Sequence, residues 1–132
     1  MDSEAEKHLR KAKYGVFNHS AVQICGWTKK SLHGQGHCYK EKFYGADCHR
    51  CMEFSPSAAF CEQNCIFCWR PMEFMKLKEM KDGEVDEPEV IYEKLLEERR
   101  KLLSGFPGDG ITDMEKFREA MQPNHFAISL SG

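Results

Sequence analysis

The sequence predicts an α/β fold in which a strand, a helix and a second strand open a parallel sheet, behind a segment rich in cysteine. Three stretches predict it: the apolar FSPSAAF at 54–60, a helical pattern from about residue 86 to 104, and the closing HFAISLSG at 125–132. Their order is strand, cysteine loop, helix, turn, short helix, strand. That is a βαβ beginning, whose connection implies parallel strands.

The elements follow in order. Residues 1–14 are charged throughout and predict a short helix or a tail. VFNHSAV at 16–22 reads as extended. From Cys25 to Cys51 the chain is rich in Gly, His, Lys and aromatics with little periodicity, so it is expected to bury little apolar surface and to be ordered by a metal. FSPSAAF should end as a strand that runs into the loop of Cys61, Cys65 and Cys68. MKLKEMKDGEVD is a polar connection. In the helix that follows, Asp86 is the expected cap, Glu89 completes a capping box and Pro88 occupies the tolerated first turn. Ile91, Leu95 and Leu102 share one face, with Tyr92, Leu96 and Leu103 beside them, and Gly105 is the expected stop. FPGDG is a turn. A second helix fits Thr112–Met121, capped by Thr112 with Glu115 and ended by Pro123.

A length of 132 residues allows one small domain. The net charge of −2 argues against a surface that grips nucleic acid by charge all over. No run approaches the roughly 18 apolar residues of a membrane helix, and MDSEAEKHLRKAKY lacks the apolar centre of a signal peptide. The expected location is cytoplasmic, where seven cysteines are reduced thiols available to metal or catalysis. A complete eight-unit barrel takes about 250 residues. The sheet begun here is therefore expected to be unfinished and the chain to be part of a longer protein.

Cys61, Cys65 and Cys68 are spaced Cys-x3-Cys-x2-Cys. Three thiolates on one loop hold three corners of a four-iron cluster and leave the fourth iron open to a ligand. A zinc knuckle or unrelated thiols are the alternatives, although zinc favours pairs at x2 with a distant second pair. The triplet after a first strand resembles the radical SAM superfamily. That resemblance implies an open iron that binds S-adenosylmethionine and an electron that releases a 5′-deoxyadenosyl radical. It also implies that Phe67 lies near the adenine, and that Ser131 and Gly132 begin a motif contacting the methionine amino group.

Cys25, Cys38, Cys48 and Cys51 form a second set, which read alone suits a zinc or an iron–sulfur site. With HCYK, KFYG, HRCMEFSP, CIFCWRP and FAISLSG, the stretch from about Val16 onward resembles one radical SAM subfamily, the tRNA 4-demethylwyosine synthases of the wybutosine pathway. The resemblance implies two [4Fe-4S] clusters. Cys61, Cys65 and Cys68 would hold the SAM cluster, and Cys25, Cys38 and Cys51 an auxiliary one. Cys48 departs from that pattern and is expected to be a bystander. The implied substrates are pyruvate and an N1-methylguanosine next to the anticodon of tRNA(Phe). Lys40 would form a Schiff base with pyruvate, with Lys42 in reserve. The implied fold is the first part of a partial (β/α)6 barrel, with a tail at 1–15, the auxiliary segment at 16–54 and the barrel portion at 55–132. A monomer served by a separate flavodoxin- or ferredoxin-type electron donor is expected, since no flavodoxin domain fits ahead of Cys25. The rivals are a radical SAM enzyme with another substrate, and a non-catalytic zinc module that contacts RNA.

His33, His37 and His49 are expected to serve loop hydrogen bonding. Arg70 and the lysines at 29, 30, 40 and 42 read by default as solvated charge, and Trp27 and Trp69 either stack on a base or shield the core or a cluster.

Overall fold

The computed structural model describes residues 3–58, 60–61, 63, 65–71, 73 and 80–128. Ser131 and Gly132, the expected start of the methionine-contacting motif, lie outside the described residues.

Four strands form one sheet in the order β1 (Tyr14–Phe17), β2 (Ser20–Gln23), β3 (Cys51–Ser55), β4 (His125–Ile128). The extended stretch near residue 20 is in fact a hairpin. Its two-residue turn places Asn18 at φ 49, a left-handed position that asparagine tolerates. β2 runs antiparallel to β3, whereas β3 and β4 are parallel with Cys51 opposite His125 and Glu53 opposite Ala127. The βαβ expectation therefore holds. Its first strand starts earlier than expected, at Cys51, and ends at Ser55 before Pro56, a residue that cannot donate to a ladder.

Helices α1 (Ser3–Lys11), α2 (Gly26–Leu32), α3 (Tyr39–Tyr44), α4 (Pro88–Leu103) and α5 (Met114–Ala120) pack around this sheet. On α1, Ala5 and Leu9 are buried four residues apart, and Leu9 meets Val16, Ala21 and Ala58. α4 buries Ile91, Leu95, Arg99 and Leu103, a stripe at a spacing of four along one face. Leu103 thus takes the central place expected of Leu102, which is only partly buried. Ile91 and Leu95 cover Val22 and Met52 on one face of the sheet.

The segment 25–51 buries more than its composition suggested. Its Leu32 joins Ile24, Leu103 and Ala120 in a core of their own. Thr28 Oγ1 donates to the Cys48 carbonyl at 3.0 Å and anchors α2 to the 3-10 turn at Cys48–Arg50.

Both expected helix caps are displaced because other contacts occupy the side chains, one distant and one in the adjoining turn. α4 starts after Glu87, since Asp86 instead accepts from Asn18 Nδ2 at 2.9 Å and its own amide donates to His19 Nε2. α5 is capped by Asp113, which accepts from the amides of Glu115 and Lys116, while the Thr112 hydroxyl is spent on the Phe106 carbonyl and Asp109. α4 ends at Ser104 rather than through a left-handed Gly105, whose φ is −80° as the chain enters a 3-10 turn.

Gly15 marks the closest approach of α4 to the sheet. A Cβ there would stand 2.7 Å from Glu98 Cβ and 3.1 Å from Val22 Cγ1. Gly15→Ala should therefore destabilise the fold by about 1–3 kcal/mol, measured as a drop in denaturant midpoint at constant slope.

Candidate active site

One face of the sheet is closed by α4, and the other carries the second cysteine set and Lys40. Along β3, Met52 points into the core while Cys51, Glu53 and Ser55 alternate onto the opposite face. The strand period thus sets Glu53 beside a cysteine. Across the ladder lie Gln23, which donates to Glu53 Oε1 at 2.7 Å, and His125 and Ala127 of β4.

The second cysteine set converges at the N-terminal end of this face. Cys25 and Cys38 are the residues immediately before α2 and α3, and neither makes a side-chain capping bond. With Cys48 and Cys51 they line a cavity of about 230 Å³, whose wall also includes Trp27, Lys40, Glu53 and His125. The structure thus brings Cys25, Cys38, Cys51 and Lys40 together. Lys42, one helical step on, is exposed and lies 5.6 Å over the Phe43 ring. Among the described residues, no disulfide joins any of the cysteines.

Cys48 is buried and accepts a hydrogen bond from the Cys38 amide at 3.2 Å. Burial pushes its thiol up. Burial also pushes the Cys51 thiol up, against the nearby charge of Lys40. His125 is held below the ordinary histidine range by its burial and then by Lys40. Among the described residues, no three His, Cys, Asp or Glu side chains converge tightly enough to hold a metal ion.

Arg99 was not singled out by sequence reading, though it stands at the i+4 position of an apolar stripe. It is fully buried, and its guanidinium donates to the carbonyls of Ala120, His49 and Cys51. Burial lowers its pKa to about 10, so it remains charged at neutral pH. It therefore ties α4 to the turn and strand that carry Cys48 and Cys51.

The triplet loop leaves the end of β3. His19 fixes its approach: Nδ1 bonds the Pro56 carbonyl, and the His19 carbonyl accepts from the Ala58 amide at 2.9 Å. Cys61, Cys65 and Cys68 sit on a surface loop, closed by Cys68 N–H to Cys65 O at 3.1 Å. Arg70, expected as solvated charge, is buried and donates from Nε to Cys68 Sγ at 3.3 Å. Burial works to lower its pKa, but hydrogen bonds to Cys68 and Cys61 outweigh burial and raise it. Phe67 is 86% exposed, which excludes a core role. Trp69 stacks on Tyr14 at 5.1 Å.

The other candidates are structural. His33 bonds Asp109 at 2.7 Å and His49 bonds Glu119 at 3.0 Å, so both serve loop bonding as expected. Lys30 lies 4.7 Å over Trp27. Among the described residues, no helix is long and apolar enough to cross a membrane.

No family model matches the chain. The S-adenosyl-L-methionine-dependent tRNA 4-demethylwyosine synthase of Methanocaldococcus jannaschii is 44% identical over 137 residues, spanning all of this chain and 44% of that protein. The enzyme of the same name from Pyrococcus abyssi is 47% identical over all of this chain and 39% of its own length. The chain is homologous to the tRNA 4-demethylwyosine synthases. The human member of that family, TYW1, is 41% identical over 89% of this chain and 16% of its own length. A solved structure of TYW1 with a lysine–pyruvate adduct bound superposes with a TM-score of 0.83 at 42% identity, covering all of this chain and 43% of that one. A crystal structure of archaeal TYW1 gives 0.76 at 38%, with the same coverage of both chains. The mixed α/β fold is thus that of TYW1, and the chain spans less than half the length of the archaeal relatives it matches.

Proposed function

We propose that this chain supplies the pyruvate-handling and cluster-binding part of a tRNA 4-demethylwyosine synthase, a radical SAM lyase. The observation that carries the proposal is the shared cavity of Lys40, Cys25, Cys38 and Cys51. A TYW1 with a lysine–pyruvate adduct has the same fold over this whole chain. The substrates are then pyruvate and the N1-methylguanosine next to the anticodon of tRNA(Phe). The protein acts as a cytoplasmic monomer served by a separate flavodoxin- or ferredoxin-type donor. Residues 16–54 form the auxiliary segment and residues 55–132 open a partial (β/α)6 barrel.

The donor set fits two [4Fe-4S] clusters. Cysteines that line a cavity, rather than meeting at a point, suit a group that brings its own bulk. Cys25, Cys38 and Cys51 would hold one cluster, and Cys61, Cys65 and Cys68 the other, with Phe67, Ser131 and Gly132 toward S-adenosylmethionine. When bound, a cluster on the triplet would supply the electron that breaks the sulfonium carbon–sulfur bond of S-adenosylmethionine, giving methionine and a hydrogen-abstracting 5′-deoxyadenosyl radical. Lys40 Nζ attacks the pyruvate ketone and expels water, which fixes pyruvate in the cavity as an imine. Cys48, already bonded to the Cys38 amide, shapes the loop. Arg70 places positive charge beside Cys68 and Cys61, two of the triplet's three cysteines. Arg70→Ala should weaken the triplet's hold on iron by roughly tenfold, read as faster iron release to a chelator.

The test is to incubate the reconstituted full-length protein with methylated tRNA, pyruvate, S-adenosylmethionine and a reductant. The tricyclic base should form. Release of 5′-deoxyadenosine without a modified base would point to another substrate, and no 5′-deoxyadenosine at all would refute the enzyme reading.

A further inference from the structure

The hairpin turn between β1 and β2 holds both ends of the stretch that carries Cys61, Cys65 and Cys68. Between β3 and α4 the described residues form no strand and no α-helix, so the positions of those cysteines depend on side-chain anchors. At the first end, the buried His19 bonds the Pro56 carbonyl through Nδ1, and Ser20 Oγ donates to the same carbonyl at 3.0 Å. The Ala58 amide donates to the His19 carbonyl at 2.9 Å. At the second end, the Asp86 amide donates to His19 Nε2 at 3.0 Å, and Asn18 Nδ2 donates to the Asp86 carboxylate at 2.9 Å.

These partners fix the state of the ring. A carbonyl only accepts and an amide N–H only donates, so Nδ1 carries the proton and Nε2 is bare. In that tautomer one rigid ring offers a donor and an acceptor. His19 therefore joins Pro56 to Asp86 directly and closes the stretch between them into a loop. A loop whose ends are already joined spares a bound group the entropy of closing it. We propose that His19 is a positioning residue for the triplet, one that sets where Cys61, Cys65 and Cys68 are offered to iron by closing their loop at Pro56 and Asp86. The inference rests on the proposed role of the triplet as a cluster loop.

The experiment compares His19→Phe with the wild type in the full-length protein by two readouts. Phenylalanine keeps a ring in the site and removes both ring nitrogens. The first readout is amide hydrogen exchange of the metal-free protein. Exchange at Ala58 and Asp86 should quicken by roughly 10- to 100-fold, the effect of bonds lost from buried partners, while α4 and the β1–β2 ladder stay as protected as in the wild type. The second readout uses the reconstituted protein with an iron chelator. The EPR signal that responds to S-adenosylmethionine should decay roughly tenfold faster, while the signal that does not respond keeps its wild-type lifetime. His19→Gln, which returns a donor and an acceptor on one side chain, should recover part of both effects. Either readout moving without the other would overturn the positioning role, as would equal loss of both EPR signals or no change at all. Where His19→Phe unfolds the protein, Ser20→Ala decides by the same readouts. It removes one donor from the Pro56 carbonyl, so about a threefold shift in each is expected, and no shift overturns the inference. A wild type with no signal that responds to S-adenosylmethionine overturns the proposed function, and the positioning role with it. The exchange readout is taken without metal and does not depend on that function.

Discussion

Lys40→Ala should abolish formation of the tricyclic base, lowering turnover by at least about 1,000-fold, the scale seen when a covalent nucleophile is removed. Borohydride reduction in the presence of labelled pyruvate should mark the wild-type protein on a single peptide containing Lys40 and leave Lys40→Ala unlabelled. Lys42→Ala should keep both label and turnover. The reason is positional. Both lysines lie on α3, but Lys40 lines the cavity of Cys25, Cys38 and Cys51, while Lys42 is exposed beside Phe43. Cluster content should be unchanged in both variants, since neither lysine bonds a cysteine among the described contacts. Label on Lys42, or label that survives Lys40→Ala, would contradict the assignment.

Arg99→Ala should carry the largest stability loss, about 3–5 kcal/mol. Three carbonyls would lose a charged donor together, and a cavity would open in the stripe of Ile91, Leu95 and Leu103. That is a large share of the roughly 5–15 kcal/mol that holds a typical domain. Arg99→Lys should cost less, because it keeps the charge but cannot reach three acceptors with a planar fork. Denaturant unfolding measures the loss. Because two of the three carbonyls belong to His49 and Cys51, thiol labelling of Cys48 and Cys51 should also quicken. A cost within about 1 kcal/mol, the scale of one ordinary hydrogen bond, would mean that Arg99 does not organise the turn.

The chemistry-bearing residues were legible where chain proximity alone places them. Lys40 lies two residues beyond Cys38, so no fold is needed to bring them close. The helical stripe of α4 and the parallel crossover followed from period and element order. What could not be read came from side chains with two possible uses. Asp86 and Thr112 are good caps by type, but Asn18 claimed the first and the adjoining 3-10 turn the second. The hairpin turn at Asn18 and His19 lacks the glycine that usually announces one. Arg99 reads as surface until three distant carbonyls are brought around it. His125 joins the cysteines only through strand pairing across some seventy positions. A signal for Glu53 was present, because Cys51, Glu53 and Ser55 alternate at the period of a strand once β3 is placed correctly.

The most direct test of the proposed two clusters is metal analysis of the anaerobically reconstituted full-length protein, with low-temperature EPR of the reduced sample before and after S-adenosylmethionine is added. The expected result is iron and acid-labile sulfide enough for two clusters, and a spectrum that changes on addition. Stoichiometric zinc, little iron and an unaltered spectrum would contradict it, and would leave a zinc module that contacts RNA as the better description of this chain.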